Sequence, residues 1–339
     1  MASSDATDPQ LPDNSVAKSA AVARFWSEFC TATRLAPTTP YQAWYFGDTP
    51  QLAHELVELV LHGPKRATAG LAEFNDRMPQ VKPVAGGYSV LTEHDGTPRA
   101  VVRTTVLERR RFEDVDAAFA WDEGEGDRTL ADWKDGHRKF FTRELEGLGR
   151  RFEESMPVDL ERFELLYPFE AALNPVDCGP RLLPALLPGA MAASAALQSL
   201  YYAREHQFGV YFEAGRLADI GAFLARFDSE RDGVWVAVDG GAMVGTIVID
   251  GASNDEPDCA QLRWFVMADV LRGHGMGRRM MQAAMQFAAA RYRRVVLDTF
   301  SGLNAARHLY ETFGFRKTLE RPTTAWGPEV LEQHWEWAP

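Results

Sequence analysis

The sequence has few cysteines and no long run of apolar residues. The three cysteines, Cys30, Cys178 and Cys259, lie far apart and form no CxxC pair or Cys/His cluster. This odd, scattered set argues against a disulfide framework and against a structural zinc site, so we expect no bound metal. No stretch of about 18 apolar residues occurs, which argues against a membrane-spanning helix.

Basic residues are also scarce. The 339 residues include 36 Lys and Arg against 48 Asp and Glu, giving a formal net charge of −12. A protein that holds nucleic acid through its phosphates needs a basic excess, so the balance favours small-molecule ligands. The amino-terminal segment MASSDATDPQLPDNS is polar and acidic, unlike a signal peptide. We therefore predict a disordered tail over residues 1–19 and a reducing, cytoplasmic location.

Length and proline content together predict two domains. Domains usually hold roughly 100–200 residues each. Five prolines interrupt the Ala- and Leu-rich stretch 168–198, so this stretch is not one regular element. We predict a first domain over residues 20–167, a linker over 168–198 and a second domain over 199–339.

Hydrophobic periodicity indicates a different fold class for each domain. In the first, it predicts helices at Ala20–Thr33, Pro50–His62 and Leu130–Phe152, and strands at Tyr88–Thr92, Ala100–Leu107 and Leu160–Tyr167. Short strands with peripheral helices are typical of a compact α+β or barrel-like domain. The second domain begins with helices and antiparallel strands, and continues as strand, glycine loop, helix, strand and helix. This order predicts an α/β domain with a mixed, mainly antiparallel sheet.

The glycine loop of the second domain is the sharpest local pattern. It reads Arg272-Gly273-His274-Gly275-Met276-Gly277-Arg278. Its glycines leave backbone N–H groups open to a ligand, and the helix that follows adds the positive end of its dipole. Such a loop suits a pyrophosphate, although a glycine turn without a ligand fits the loop alone equally well. No Lys-Ser/Thr follows as in a P-loop, and no acid lies about 20 residues on as in a dinucleotide fold.

The surroundings of this loop resemble the Gcn5-related N-acetyltransferase (GNAT) superfamily over roughly residues 200–339. Arg272, Gly275 and Gly277 match its Arg-x-x-Gly-x-Gly loop. The later Tyr-x-x-x-Gly-Phe pattern is matched by Tyr310, Gly314 and Phe315, and the tail from Trp326 to Glu336 is similar as well.

The resemblance implies acetyl-CoA as cosubstrate and a role for each matched residue. Main-chain groups of Phe265, Val266 and Met267 would pair with the pantetheine arm as an added strand does. The amides from Arg272 to Arg278 would hold the pyrophosphate, and Tyr310 would protonate the leaving thiolate. A core aromatic is the alternative interpretation of Tyr310.

Two positions depart from the family pattern. The asparagine expected near the cofactor stands one residue late, at Asn304, and Leu303 occupies the usual place. The strand that often supplies a carboxylate base carries Gln261 and Arg263 instead. An acidic loop over Gly251–Asp258 is another source of a base, and a solvated acidic turn explains it more simply.

The first domain carries a Gly-Pro-Lys-Arg-Ala-Thr segment and a later acidic block. Lys65 and Thr68 stand three residues apart after a helix stop, and Glu123 begins the acidic block. In a desolvated cleft, Lys65 would lose its proton near neutral pH and activate the Thr68 hydroxyl, with Glu123 orienting the pair. A solvated lysine, a capping threonine and an acidic turn are the plainer alternative, which the spacing alone favours.

These segments resemble the ASCH domain, a β-barrel related to the PUA fold, over about residues 40–167. Members that hydrolyse N4-acetylcytidine use a Lys, a Thr and a Glu, which fall on Lys65, Thr68 and Glu123. Other members are linked to RNA, so the fold does not define the activity. Aromatic residues from Trp44 to Phe46 would stack on a base or belong to the core.

The leading hypothesis is an N-acetyltransferase that moves acetyl from acetyl-CoA to an amine of a small molecule or peptide. The ASCH domain would supply nucleoside- or RNA-type recognition, or a second activity. The alternatives are an N4-acetylcytidine-type amidohydrolase or nucleoside-binding protein that senses acetyl-CoA, and an RNA-binding module. No interaction with a membrane is expected.

Overall fold

A computed structural model describes residues 14–173, 179–252, 256–271, 273, 275–325 and 328–339. The chain divides into two compact units: the first contains Met1–Phe29 and Thr38–Cys178, and the second contains Cys30–Pro37 and Gly179–Pro339. The helices are α1 (Ala20–Thr33), α2 (Pro50–His62), α3 (Ala72–Arg77), α4 (Ala117–Glu123), α5 (Leu130–Glu146), α6 (Phe169–Leu173), α7 (Ala190–His206), α8 (Val210–Arg226), α9 (Met276–Ala289) and α10 (Asn304–Thr312). The strands are β1 (Tyr41–Trp44), β2 (Ala67–Leu71), β3 (Tyr88–Thr92), β4 (Pro98–Arg111), β5 (Pro157–Tyr167), β6 (Arg181–Leu183), β7 (Gly233–Asp239), β8 (Ala242–Asp250), β9 (Cys259–Met267), β10 (Arg294–Phe300), β11 (Arg316–Thr323) and β12 (Val330–Trp337).

The first unit contains a five-stranded mixed sheet with the order β1-β3-β4-β5-β2. β1 and β3 are parallel, and the other neighbours are antiparallel. The core contains a cluster of aromatic side chains that includes Phe112, Phe119, Trp133 and Phe141. This arrangement confirms the α+β class expected for the first domain, while closure of the sheet into a barrel stays a prediction.

The second unit contains a seven-stranded sheet with the order β11-β12-β10-β9-β8-β7-β6. β9 and β10 are parallel, and every other pair in this sheet is antiparallel. α9 contributes buried methionines to the core, among them Met276, Met280 and Met281. The mixed, mainly antiparallel α/β sheet expected for the second domain is therefore confirmed.

Several predicted boundaries are corrected by the structure. The stretch 168–198 is not a simple linker, because it contains α6, the edge strand β6 and the start of α7. In the predicted tail, the amide of Val16 donates to the Ala43 carbonyl (2.9 Å) and the amide of Tyr45 donates to the Asn14 carbonyl (3.2 Å). The end of that tail is thus paired with β1, and residues 1–13 lie outside the described residues. The long helix ends at Glu146 rather than at Phe152.

None of the helices in the described part of the chain has both the length and the apolar character needed to cross a membrane. Among the same residues, no group of three or more His, Cys, Asp or Glu side chains is arranged to hold a metal ion.

Candidate functional site

The second unit contains a cleft between β9 and β10. These parallel strands pair only where Arg294–Val296 lies beside Cys259–Gln261. Beyond that point a cavity of about 690 Å³ is lined by the continuations of both strands and by residues of α7, α8 and α10. The backbone edge of β9 that faces this cavity has no neighbouring strand in the part of the chain that the structure describes. The open edge can therefore accept hydrogen bonds from, and donate them to, an extended ligand.

A bulge in β9 directs its last residues into the cleft. Trp264 has a φ of 49°, in the left-handed region, and the β8–β9 register shifts between Thr246 and Val248. The Thr246 hydroxyl donates to the Trp264 carbonyl at 3.0 Å and lies 2.6 Å from the Ser194 hydroxyl. These buried hydroxyls hold the bulge in place, because they satisfy a carbonyl that the irregular strand leaves unpaired. Phe265, Val266 and Met267, which follow the bulge, line the cavity.

Tyr310 lies on α10 and lines the same cavity. Its side chain is buried, and the rings of Phe265, Phe315 and Trp335 surround it at centroid distances of 6.1–6.4 Å. Burial and the nearby Tyr202 raise the pKa of Tyr310 above its ordinary value, so the phenol stays protonated at neutral pH. No described residue hydrogen-bonds its hydroxyl, which leaves the proton available to a ligand.

The glycine loop leads into the start of α9. Gly275 is the N-cap with a φ of 70°, and no side chain caps the helix. A Cβ at Gly277 would come within 3.3 Å of the Leu309 side chain, so glycine allows close packing between α9 and α10. Met276 is buried, whereas Gly273 and Arg278 are exposed.

The expected cofactor site includes three further residues. Arg272 and His274 lie outside the described residues. Asn304 is the first residue of α10 and lines the cavity.

Polar residues that sequence reasoning did not single out complete the cavity wall. Asp298 of β10 accepts hydrogen bonds from Gln261 Nε2 (2.9 Å) and His334 Nδ1 (2.7 Å). Arg216 of α8 lies 2.8 Å from Asp219, and Tyr202 of α7 lines the same space. Asp298 follows the apolar residues Val295–Leu297 within β10, which is the signal that could have revealed it. Arg216 gave no such signal, because only the packing of α8 brings it to the cleft.

The acidic loop and the strand that often supplies a base have other partners. Arg263, which replaces the usual carboxylate in that strand, pairs with Asp250 at 3.0 Å. Glu256 of the acidic loop pairs with Arg294 at 2.7 Å, and neither residue of this pair lines the cavity. Asp255 lies outside the described residues. The structure therefore brings Asp298 and Glu332, and not the acidic loop, to the cavity wall.

In the first unit, Lys65 and Glu123 meet in a buried cluster. The Lys65 ammonium lies 3.5 Å from Glu123 Oε1 and also contacts the Glu125 carboxylate. Gly124, with a φ of 74°, ends α4 so closely against the backbone of Lys65 that a Cβ there would lie 2.7 Å from the Lys65 nitrogen. This close approach places the carboxylates beside the lysine.

The surroundings of Lys65 oppose the loss of a proton expected of it. Although burial lowers the pKa of the ammonium group, Glu125 and Glu123 outweigh burial and raise it above its ordinary value. Burial alone would raise the pKa of Glu123, but His137, Lys65 and the Trp133 indole lower it to about 2. The cluster therefore favours an ammonium beside a carboxylate, and a catalytic role of Lys65 stays a prediction.

Thr68 lies beside this cluster on β2, half-buried. The amide of Ala69, the next residue, donates to Glu123 Oε1 at 3.1 Å. Across the sheet, Thr68 pairs with Glu161 of β5. Glu161 is buried and accepts a hydrogen bond from the Thr104 hydroxyl at 2.6 Å. Burial raises the pKa of Glu161 to about 7. Sequence reasoning did not single out this ionisable residue.

The aromatic segment before α2 is divided between the core and the surface. Trp44 and Phe46 are buried in the core, with ring centroids 4.9 Å apart, so the core alternative holds for them. Tyr45 is half-buried beside His94, and its stacking on a base stays a prediction. His137 packs inside, stacked on Trp133 at 4.2 Å.

Comparison with known proteins identifies the domains that hold these two sites. The family model for the ASCH domain matches residues 42–167, and that for the acetyltransferase (GNAT) family matches residues 197–315. The chain thus consists of an ASCH domain followed by a GNAT acetyltransferase domain, which confirms both resemblances.

Individual relatives match parts of the chain. It is 30% identical over 158 residues to the human (Homo sapiens) N-acetylaspartate synthetase, covering 46% of this chain and 50% of that protein. The chain therefore spans about half the length of this curated relative. The ASCH domain from Lactobacillus crispatus JV V101 is 32% identical, with 42% of this chain and 91% of that chain covered and a TM-score of 0.39. An acetyltransferase from Streptococcus agalactiae 2603 is 20% identical, with 48% of this chain and 99% of that chain covered and a TM-score of 0.38.

Proposed function

We propose that this protein transfers the acetyl group of acetyl-CoA to the amine of a small molecule or peptide. The observation that carries the proposal is the cleft between β9 and β10, where the protonated Tyr310 lines the cavity beside an open strand edge. A pantetheine arm can pair with the backbone of Phe265–Met267 as an added strand would. This arrangement would bring the thioester to Tyr310.

The start of α9 supports the pyrophosphate end of the same cofactor. The first-turn amides of a helix have no intrahelical partner, and here no side chain caps them. Arg278 and Arg279 stand in this turn, where the helix dipole disfavours cations. A bound diphosphate reverses that penalty, because its charge attracts both the amides and the arginines. Arg272, His274 and Asn304 are proposed to add to this binding.

The residues around the cavity suggest a route for each proton. The amine nitrogen attacks the thioester carbonyl, the carbon–sulfur bond breaks, and the leaving thiolate takes the proton of Tyr310. The proton of the amine passes through water to the cavity carboxylates, Asp298 or Glu332.

Replacement of Tyr310 tests this assignment. We expect Tyr310→Phe to lower kcat about 100-fold or more, because it removes the proton donor. Its dissociation constant for acetyl-CoA should change less than about threefold, because the ring remains. Thiol release gives kcat, and calorimetry gives the dissociation constant. Tyr211→Phe, at an exposed position of α8, is the matched control. Unchanged turnover in Tyr310→Phe would remove Tyr310 from the mechanism.

The buried cluster of the first unit favours a second candidate function, hydrolysis or recognition of an acetylated nucleoside at the ASCH domain. Lys65, Thr68 and Glu123 are proposed as its working residues. A charged Lys65 suits a different role from the one the sequence suggested: it would stabilise the oxyanion that forms on the amide, while Glu123 orients it. Thr68 would supply the hydroxyl nucleophile and pass its proton to the Glu123 carboxylate, which would give it to the leaving amine as the carbon–nitrogen bond breaks. Water would then hydrolyse the acetyl ester and release acetate, which restores the Thr68 hydroxyl.

Incubation with N4-acetylcytidine tests this second function through the release of cytidine and acetate. Removal of Lys65 would leave Glu123 buried without its ion pair and endanger folding, so Thr68→Val is the informative variant. We expect Thr68→Val to reduce release at least 100-fold. Thr105→Val, at an exposed position of β4, should leave it unchanged. Absence of release by the unaltered protein would restrict the first unit to binding, including the RNA-type recognition that its acidic composition disfavours.

A further inference from the structure

We infer that the acetyl acceptor is a small amine that also carries a carboxylate, and that Arg216 binds this carboxylate. The inference rests on the proposed acetyltransferase function and names the substrate class of that same cleft. It follows from the charges that line the cavity and from the hydrogen-bonding capacity that Arg216 leaves unused.

Arg216 is an incompletely paired cation in the cavity wall. Its side chain is only 24% exposed, and its ion-pair partner is Asp219, at 2.8 Å. Its Nε is buried and has no hydrogen-bond partner among the described residues. The side chain nevertheless lines the cavity and is partly exposed, so a ligand carboxylate can accept from the part of the guanidinium that reaches the cavity.

The neighbouring charges leave Arg216 undercompensated. Asp219 is shared with Arg263, whose Nη2 lies 3.5 Å from it. Arg263 also has the buried Asp250 at 3.0 Å, a partner that Arg216 lacks. Burial, only partly offset by Asp219, lowers the pKa of Arg216 below its ordinary value. A ligand carboxylate would restore the balance, because carboxylate oxygens match the geometry of a guanidinium.

The acidic residues of the cavity wall lie on elements other than the helix that carries Arg216. Asp298 of β10 and Glu332 of β12 line the cavity, and the arginine comes from α8. Tyr202, Arg216 and Tyr310 line this one cavity, so the arginine and the proposed reaction centre share it. An acceptor with an ammonium group and a carboxylate therefore finds a complementary charge for each.

The size of the cavity limits the acceptor. Its volume of about 690 Å³ also has to take the acetylated end of the cofactor. A compact amino acid or similar amino carboxylate fits this space. A neutral amine of the same size would offer the Arg216 guanidinium no carboxylate to pair with.

An acceptor panel tests the inference with the full-length protein. Free amino acids are compared with the corresponding amino alcohols and carboxamides, which keep the amine and remove the carboxylate. Thiol release and the product mass are measured for each compound. We expect kcat/KM for the best amino acid to exceed that of its carboxamide by about 100-fold.

Arg216→Gln links that preference to the residue. We expect the KM for the amino acid to rise about 10- to 100-fold, because a charge-assisted pair is lost. The constants for the carboxamide and the affinity for acetyl-CoA should stay within about twofold. Arg293→Gln removes the same charge from a side chain that is 88% exposed and should change nothing.

The outcomes separate the two proposals. Failure to bind acetyl-CoA, or to acetylate any amine in the panel, would overturn the acetyltransferase function and this inference with it. Equal acetylation of amino acids and carboxamides, unaffected by Arg216→Gln, would overturn the inference alone. Retained affinity of Arg216→Gln for acetyl-CoA shows that the variant is folded.

Discussion

The environment of each buried ionisable side chain sets its charge in this protein. Lys65 keeps its proton because two carboxylates contact it, and Tyr310 keeps its proton because no charged partner stabilises a phenolate. Both are buried, so desolvation acts on each of them. The difference lies in the partners, and it decides which chemistry each residue can perform.

The buried Glu161 makes the stability of the protein depend on pH in a measurable way. Burial raises its pKa from the ordinary value near 4.5 to about 7, so the folded state binds its proton more tightly than the unfolded state does. The stability gained from this proton is fully present below about pH 4.5 and is lost as pH rises through 7. A pKa shift of this size corresponds to about 3 kcal/mol in the free energy of unfolding.

Glu161→Gln should therefore flatten the fall in stability between pH 5 and pH 8 relative to the unaltered protein. Urea unfolding, followed by circular dichroism at both pH values, measures the free energies. Glu146→Gln, at an exposed position of α5, should leave the fall unchanged. An identical pH slope in Glu161→Gln and the unaltered protein would contradict the raised pKa.

The sequence predicted candidate side chains for the first unit, but the spacing could not predict the charges that their surroundings favour. Lys65 and Glu123 stand 58 positions apart, and their contact depends on how Gly124 packs against the loop before β2. Spacing along the chain carries no information about such a contact. Arg216 was missed for the same reason, since its place in the cleft depends on the packing of α8.

Among the secondary-structure elements, α9 connects the glycine loop to the proposed cofactor site. Its first turn has unpaired amides, no acidic residue and two arginines. Helices usually place acids at this end and bases at the other. The reversed pattern at α9 is favourable when an anion occupies the turn.

A carboxylate placed in that turn should block the anion. We expect Gly277→Glu to weaken acetyl-CoA binding by at least 100-fold, through repulsion of the diphosphate and contact with Leu309. Gly221→Glu introduces the same residue in α8 at a position with open space and should bind normally. Titration calorimetry compares the two variants, and equal affinities would exclude this turn as the diphosphate site.

Regular elements followed from the sequence more closely than irregular ones did. α1, α2 and β3 have the predicted bounds, because local hydrophobic spacing, caps and stops define them. The bulge at Trp264 could not be predicted, because the hydroxyls that hold it come from β8 and α7. The α5 helix was predicted too long, since Phe152 continues its apolar pattern from a loop.

For the whole molecule, the order of the two domains was readable from sequence motifs, and their junction was not. The glycine loop and the lysine–threonine segment each identify a domain without any structure. Prolines marked the stretch 168–198 as irregular, but its short strand β6 pairs with Val236–Val238 of β7. A three-residue strand is too short for periodicity to reveal it.

The place of β6 at the edge of the second sheet determines where the chain can be cut. A fragment that starts at residue 199 would lose β6 and the first half of α7, and the backbone edge of β7 would be uncovered. Uncovered strand edges pair with other chains and promote aggregation. Leu183, buried in the intact unit, would leave an apolar gap beside that edge. A soluble acetyltransferase fragment therefore has to begin before Arg181.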